Sequence, residues 1–124
     1  MLVATGGALG AVLRYLLTLI SKTLFVTSIY GTISVNIIGS FLIGYLITSN
    51  FGNNLSENFI RFFLVIGLLG SFTTFSAFSY EVIDLLNSKK YITSFTYVFI
   101  SIFICIMSAY LGTLLNKFWF DQEY

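Results

Sequence analysis

Four apolar stretches, separated by short polar punctuation, divide the 124-residue chain. They cover about residues 2–20, 30–47, 62–86 and 91–115, and a helix of about 20 apolar residues is enough to cross the hydrocarbon core of a bilayer. The pattern predicts an all-α membrane protein with four transmembrane helices, organised as a single transmembrane domain over residues 1–124.

The third stretch departs from a plain span. Its centre reads GLLGSFTTFSAFSYE, from Gly67 to Glu81, with two glycines, six hydroxyl residues and an acid where leucines would be expected. Phe72, Phe75 and Phe78 recur every third residue, a spacing that lines side chains along one side of a helix. Counted straight through, residues 62–86 exceed one span, whereas the apolar halves 62–69 and 78–86 are each too short to cross alone. A third helix broken near Gly70–Thr74 reconciles the two lengths. Nonhelical backbone at membrane depth is tolerated only where protein or water covers it, so the break is expected to face an interior.

The other spans carry polar positions of their own. In the first, Gly6 and Gly10, and likewise Gly7 and Ala11, are four apart, a small-residue pattern that admits the backbone of a second helix. Arg14 follows in the same span, where a cation either snorkels to the interface or finds a wet cavity. In the second, Thr32, Asn36, Ser40 and Gly44 recur at four-residue intervals and share one face. That face does not suit lipid, because an unpaired amide in hydrocarbon costs several kcal/mol. Asn36 has two roles open to it, as a hydrogen bond to a neighbouring helix or as the wall of a pathway. The segment SNFGNNLSEN reads as a surface loop. The fourth span aligns Tyr97, Ser101 and Cys105 on one face and Ser108 with Gly112 on another, and its tail KFWFDQEY places Trp119 as in an interfacial aromatic belt.

Composition supports the bilayer. The chain is 57% hydrophobic and only 9% charged, with a mean hydropathy of +0.94, against about a quarter charged residues in a soluble domain. It has no histidine and one cysteine, which excludes Cys/His metal clusters, Cys/His nucleophiles and a disulfide within one chain. A net charge of +1 gives no reason to expect a nucleic-acid partner. The first span lacks a basic leader and a small-residue cleavage site, and is expected to stay in place. With the N-terminus inside, Arg61 and Lys117 face the cytoplasm and Lys22, Lys89 and Lys90 the other side. Because Lys/Arg imbalance sets insertion direction, two against three predicts no strong preference or a modest one for the N-terminus outside.

Thr32, Asn36, Ser40, Thr73, Thr74, Ser76, Ser79, Tyr97 and Ser101 are the polar groups expected to look inward, and nearly all are neutral hydrogen-bond donors. A cation path favours carboxylates or carbonyl cages, and a proton-coupled pump wants a deep acid. Glu81 is the one candidate acid, and it lies towards the end of its span. Neutral donors suit an anion that must shed water without being trapped. A benzene ring has a positive edge, so the edges of Phe75 and Phe78 would serve the same end.

In chain order, GGALGAVLRY, GTISVNIIGSF from Gly31 to Phe41, and GLLGSFTTFSAFSYE resemble the signature segments of the Fluc/CrcB family of fluoride channels. The resemblance covers three of the four spans, with only a loose match in the fourth. It implies an antiparallel, dual-topology homodimer in the bacterial plasma membrane, embedded in lipid as a multi-pass protein. Its two pores would passively export fluoride from the cytoplasm and so relieve fluoride toxicity, with no enzymatic step. By the same resemblance, the fluoride pathway takes in Phe75, Phe78, Asn36, Thr32, Ser76, Tyr97 and Ser101, and the backbone carbonyls of Gly70 and Thr73 hold a structural sodium ion (Na+) at the dimer centre. Cys105 stands where many relatives place a hydroxyl, and Ser71 where a second glycine is common. Arg14 and Glu81 match charged positions of the family without an assigned step. Two other readings compete: a small four-helix, proton-coupled multidrug exporter, which would need an acid where this chain has Arg14, and a non-transporting membrane scaffold subunit. The charge bias permits a homodimer or a heterodimer with an oppositely inserted paralogue.

Overall fold

The computed structural model describes residues 1–48 and 55–120, all of them in helices or the turns between. Five helices are present among them: α1 (Leu2–Phe25), α2 (Ile29–Ile47), α3 (residues 55–72), α4 (Phe75–Asn87) and α5 (Tyr91–Phe120). Four segments are long and apolar enough to cross a membrane, namely Leu2–Phe25, Ile29–Ile47, Phe59–Asn87 and Tyr91–Trp119. The third passes through the junction of α3 and α4, so two half-helices make one span. Residues 49–54 of the expected surface loop and 121–124 of the tail lie outside the described residues.

Helix α1 continues five residues past Ile20, the limit expected from hydropathy. Lys22 and Thr23 are polar but compatible with helix, and the chain turns only at Val26, whose φ of 60° is left-handed and whose N–H returns to the Lys22 carbonyl at 3.1 Å. Buried Ser21 fixes the turn from both sides. Its Oγ donates to the Thr27 carbonyl at 2.7 Å and accepts the Gly31 N–H at 2.9 Å. Helix α5 likewise runs on through KFWF to Phe120, with Lys117 in its last turn, where a cation complements the carbonyl end of the helix dipole.

Close backbone approach joins the helices in two pairs. A Cβ on Gly6 would strike the Phe63 carbonyl oxygen and one on Gly10 the Leu68 carbonyl oxygen, so the glycine face of α1 lies directly on α3. On the other side, a Cβ on Gly44 of α2 would strike the Ala109 carbonyl of α5, and one on Gly112 the Phe41 carbonyl of α2. Between Phe59 and Leu69, α3 is wound in a wider i→i+5 pattern. Such winding is rare and usually confined to one turn; here it fills the stretch that rests on α1.

The span breaks at two residues. Gly70–Phe72 are still helical, but Thr73 (φ −74°, ψ 154°) and Thr74 (φ −150°, ψ 120°) are extended. The interruption is thus narrower than the five residues read from the sequence. Thr74 then starts α4 as its N-cap, its Oγ1 accepting the Ala77 N–H at 3.1 Å.

Candidate functional site

The break is held by side chains from two earlier helices. Asn36 of α2 donates from Nδ2 to the Thr74 carbonyl at 3.0 Å and accepts the Thr74 N–H on Oδ1 at 2.8 Å. Arg14 of α1 donates from Nε to the Ser71 carbonyl at 3.0 Å. An interrupted helix leaves carbonyls without their i+4 donors, a serious cost in hydrocarbon. Arg14 satisfies one of them, and Asn36 satisfies both backbone groups of Thr74.

Beside the break opens a cleft of about 270 Å3. Asn36 and Ser40 line it from α2, Thr73 and Thr74 from the break, Phe75 and Phe78 from α4, and Ser101 and Cys105 from α5. The two Phe rings stand 5.4 Å apart between centroids, tilted by 45°. They differ in setting, because Phe78 is 7% exposed and Phe75 is 76% exposed. Ser101 is buried, and its Oγ has no hydrogen-bond partner among the described residues. Left so, a buried hydroxyl costs about 1–3 kcal/mol.

One turn away, Glu81 is buried and its carboxylate accepts three hydroxyls. Ser28, the N-cap of α2, and Thr32 of α2 donate to Oε1, the latter at 2.8 Å, and Tyr97 of α5 donates to Oε2 at 2.6 Å. With hydrogen bonds from three hydroxyls, this cluster ties the start of α2, α4 and α5 together at one level. Tyr97 also lays its ring against Phe78, with centroids 5.1 Å apart and planes at 62°. The carboxylate cluster and the cleft therefore share a wall.

Of the residues singled out in the sequence, Asn36, Phe75, Phe78, Ser101 and Thr73 meet at the cleft. Thr32 and Tyr97 sit instead on Glu81. Ser76 is exposed, with its Oγ 3.1 Å from Thr74 Oγ1, and Ser79 donates to the Phe75 carbonyl at 2.9 Å. Gly70 is exposed, and among the described residues nothing nearer than the Val65 carbonyl oxygen, at 3.6 Å, would meet a Cβ there. Sequence reasoning gave Arg14 and Glu81 no task, and it missed Ser28. A spacing signal was available for the last, since Ser28, at the N-cap of α2, and Thr32 are four apart and both reach Glu81.

What this arrangement offers chemically is a half-open cleft of neutral donors and aromatic rings, with its acid sequestered behind hydroxyls and its arginine on backbone. Comparison with known proteins points the same way. Residues 1–113 match the family described as CrcB-like protein, Camphor Resistance (CrcB). The chain is similar to the Fluoride-specific ion channel FluC of Oceanobacillus iheyensis, 45% identical over 125 residues with 99% of this chain and 95% of the relative covered. It is 42% identical over 116 residues to that of Flavobacterium psychrophilum, covering 93% and 94%. The protein of the same name from Methanococcus maripaludis is 39% identical over 118 residues, covering 95% of each.

Proposed function

The chain belongs to the CrcB family, and we propose on that premise that it is a fluoride channel, carrying the ion passively out of the cytoplasm rather than catalysing a reaction. The observation that carries the reading is the unpartnered Ser101 Oγ in a cleft shared with Asn36, Phe75 and Phe78. A small, strongly hydrogen-bonding anion supplies the acceptor that this hydroxyl lacks. The aromatic edges beside it favour an anion over water, and the neutral lining lets the ion leave again.

The functional unit is an antiparallel dimer with two pores. Phe75 supports this, since a ring that lines the cleft yet is 76% exposed leaves one side of the path to be supplied from outside the subunit. A second copy of this chain or an oppositely inserted paralogue would supply it.

The backbone around the break suits a structural sodium ion. In an unbroken helix the Gly70 carbonyl would accept the Thr74 N–H, but that donor goes to Asn36 Oδ1. The Thr73 carbonyl would accept the Ala77 N–H, but that donor goes to Thr74 Oγ1. Two carbonyls are thereby deprived of their helical donors, and carbonyl oxygens are the ligands that hard cations prefer. Gly70 and Thr73 of two antiparallel copies would hold the ion, whose charge would raise the potential beside two anion paths.

The test is ion flux from purified, reconstituted protein. Fluoride efflux from proteoliposomes, read with a fluoride electrode, is expected to exceed chloride efflux by orders of magnitude. Silence beside an active relative would favour a non-transporting subunit, and proton-coupled efflux of a lipophilic cation would favour an exporter.

A further inference from the structure

Cys105 is the one cysteine of the chain. It lies half-buried on α5, one helical turn beyond Ser101, and lines the same cleft. Two independent features meet there. One is a thiol, which is a nucleophile as thiolate. The other is the buried Ser101 Oγ without a partner, which marks this part of the cleft as a place where a polar guest binds. Ser40 of α2 and Asn36 complete the polar lining. The cleft that Ser101 and Cys105 share has, at about 270 Å3, room for a small thiol reagent beside Cys105.

We propose that Cys105 is a covalent modification site on the wall of the anion path, and that small uncharged sulfenylating reagents, the thiosulfonates and low-molecular-weight disulfides, close the channel there. The inference rests on the channel reading above. In the reaction, the Cys105 thiolate attacks the sulfenyl sulfur of the reagent. A new S–S bond joins Sγ to the reagent's thioalkyl group, the reagent's own sulfur–sulfur bond breaks, and its other half leaves with the electron pair as a sulfinate or thiolate. The thiol proton passes to buffer. The product places an apolar group among Asn36, Ser40 and Ser101, filling part of a cleft of about 270 Å3 and screening its donors. An excess of a second thiol reverses the exchange. The path would then respond to the thiol–disulfide balance of its surroundings.

The experiment uses the full chain in proteoliposomes, treated with excess methyl methanethiosulfonate until the intact mass no longer changes. Fluoride efflux and intact mass are measured together before treatment, after it, and after dithiothreitol. With a single cysteine, a mass gain of one methylthio group identifies Cys105 without any variant. The expected result is that gain together with at least a tenfold fall in efflux, both reversed by dithiothreitol. Cys105→Ser, normalised to its own untreated rate, is expected to be insensitive. Complete modification with efflux changed less than twofold would overturn the proposal, as would an intact flux with no modification, or an equal loss in Cys105→Ser. Absence of fluoride efflux from untreated protein would remove the channel reading and this proposal together.

Discussion

Asn36 grips both backbone groups of Thr74, donating to its carbonyl at 3.0 Å and accepting its N–H at 2.8 Å, across 38 residues of sequence. The amide is matched to the break because it is a donor and an acceptor at once. Asn36→Asp keeps the acceptor and sets a carboxylate oxygen against the Thr74 carbonyl. Losing one such bond and leaving a buried acceptor exposed to repulsion costs about 1–3 kcal/mol. Fluoride efflux is expected to fall at least tenfold, with a lower melting temperature in detergent. Wild-type efflux from Asn36→Asp would separate the amide from both the break and the path.

The two cleft phenylalanines are expected to respond differently. Phe75 is exposed in the subunit, so Phe75→Ile should cut fluoride efflux without altering the thermal stability of the isolated chain. Phe78 packs between Phe75 and Tyr97 at centroid distances of 5.4 and 5.1 Å. Phe78→Ile is therefore expected to cut efflux and also to destabilise by about 1–2 kcal/mol, given that a buried Phe→Ala costs about 3–5. Both variants should keep the oligomeric state of the wild type by size-exclusion chromatography with light scattering. Unchanged flux in both would place the path elsewhere.

Glu81 gathers hydroxyls from Ser28, Thr32 and Tyr97. Tyr97→Phe removes one donor and is expected to cost about 1–3 kcal/mol, the range for leaving a buried acceptor without its partner. Glu81→Gln turns an acceptor-only group into one that presents an amide donor to three hydroxyls, and should cost more. The double variant is expected to fall short of the sum, because residues of one network couple by about 0.5–3 kcal/mol. Chemical denaturation of the four proteins in a mild detergent measures this, and strict additivity would show that the cluster does not act as a unit.

Glycines provide a test of the proposed dimer centre. Gly10→Ala and Gly112→Ala each drive a methyl into a backbone carbonyl of a packed helix, and overpacking of this kind costs about 1–3 kcal/mol or more. Gly70→Ala has no such collision, since the Val65 oxygen lies at an ordinary 3.6 Å, and the φ of Gly70 is helical at −62°. Folding of the subunit should be unaffected by it. If the Gly70 carbonyls hold sodium between two copies, Gly70→Ala should lower dimer stability and its dependence on Na+, measured by subunit exchange in sodium and in N-methylglucamine buffers. Equal exchange rates for wild type in both buffers would count against the ion.

Much of this was legible in the sequence. Hydropathy located all four spans, and the glycines and threonines of GLLGSFTTF announced an interruption, because such residues are out of place in a lipid-facing helix. Glycine spacing also located one packing face, that of Gly6 and Gly10 on α3, whereas the close approach of Gly44 and Gly112 between α2 and α5 was not read from the sequence. The partners were not legible. Arg14 reaches Ser71 across 57 residues and Tyr97 reaches Glu81 across 16, and periodicity says which face a side chain occupies without saying what lies opposite. The end of α1 was misplaced for a local reason: a β-branched residue in left-handed backbone, as at Val26, runs against intrinsic preference. Nor does composition signal the wide winding of Phe59–Leu69.

The two side chains that secure the break, Arg14 and Asn36, both precede it in the chain. Synthesis runs from the N-terminus, so α1 and α2 have left the ribosome before residues 71–74 emerge. The Ser71 carbonyl and both backbone groups of Thr74 thus enter the bilayer with their partners already made, and need neither the fourth span nor a second copy to quench them. The half-helices can assemble as an ordinary step of membrane insertion. A circular permutation that moved the third span ahead of the first two would deliver the same residues in the opposite order, leaving bare carbonyls in lipid until their partners arrived.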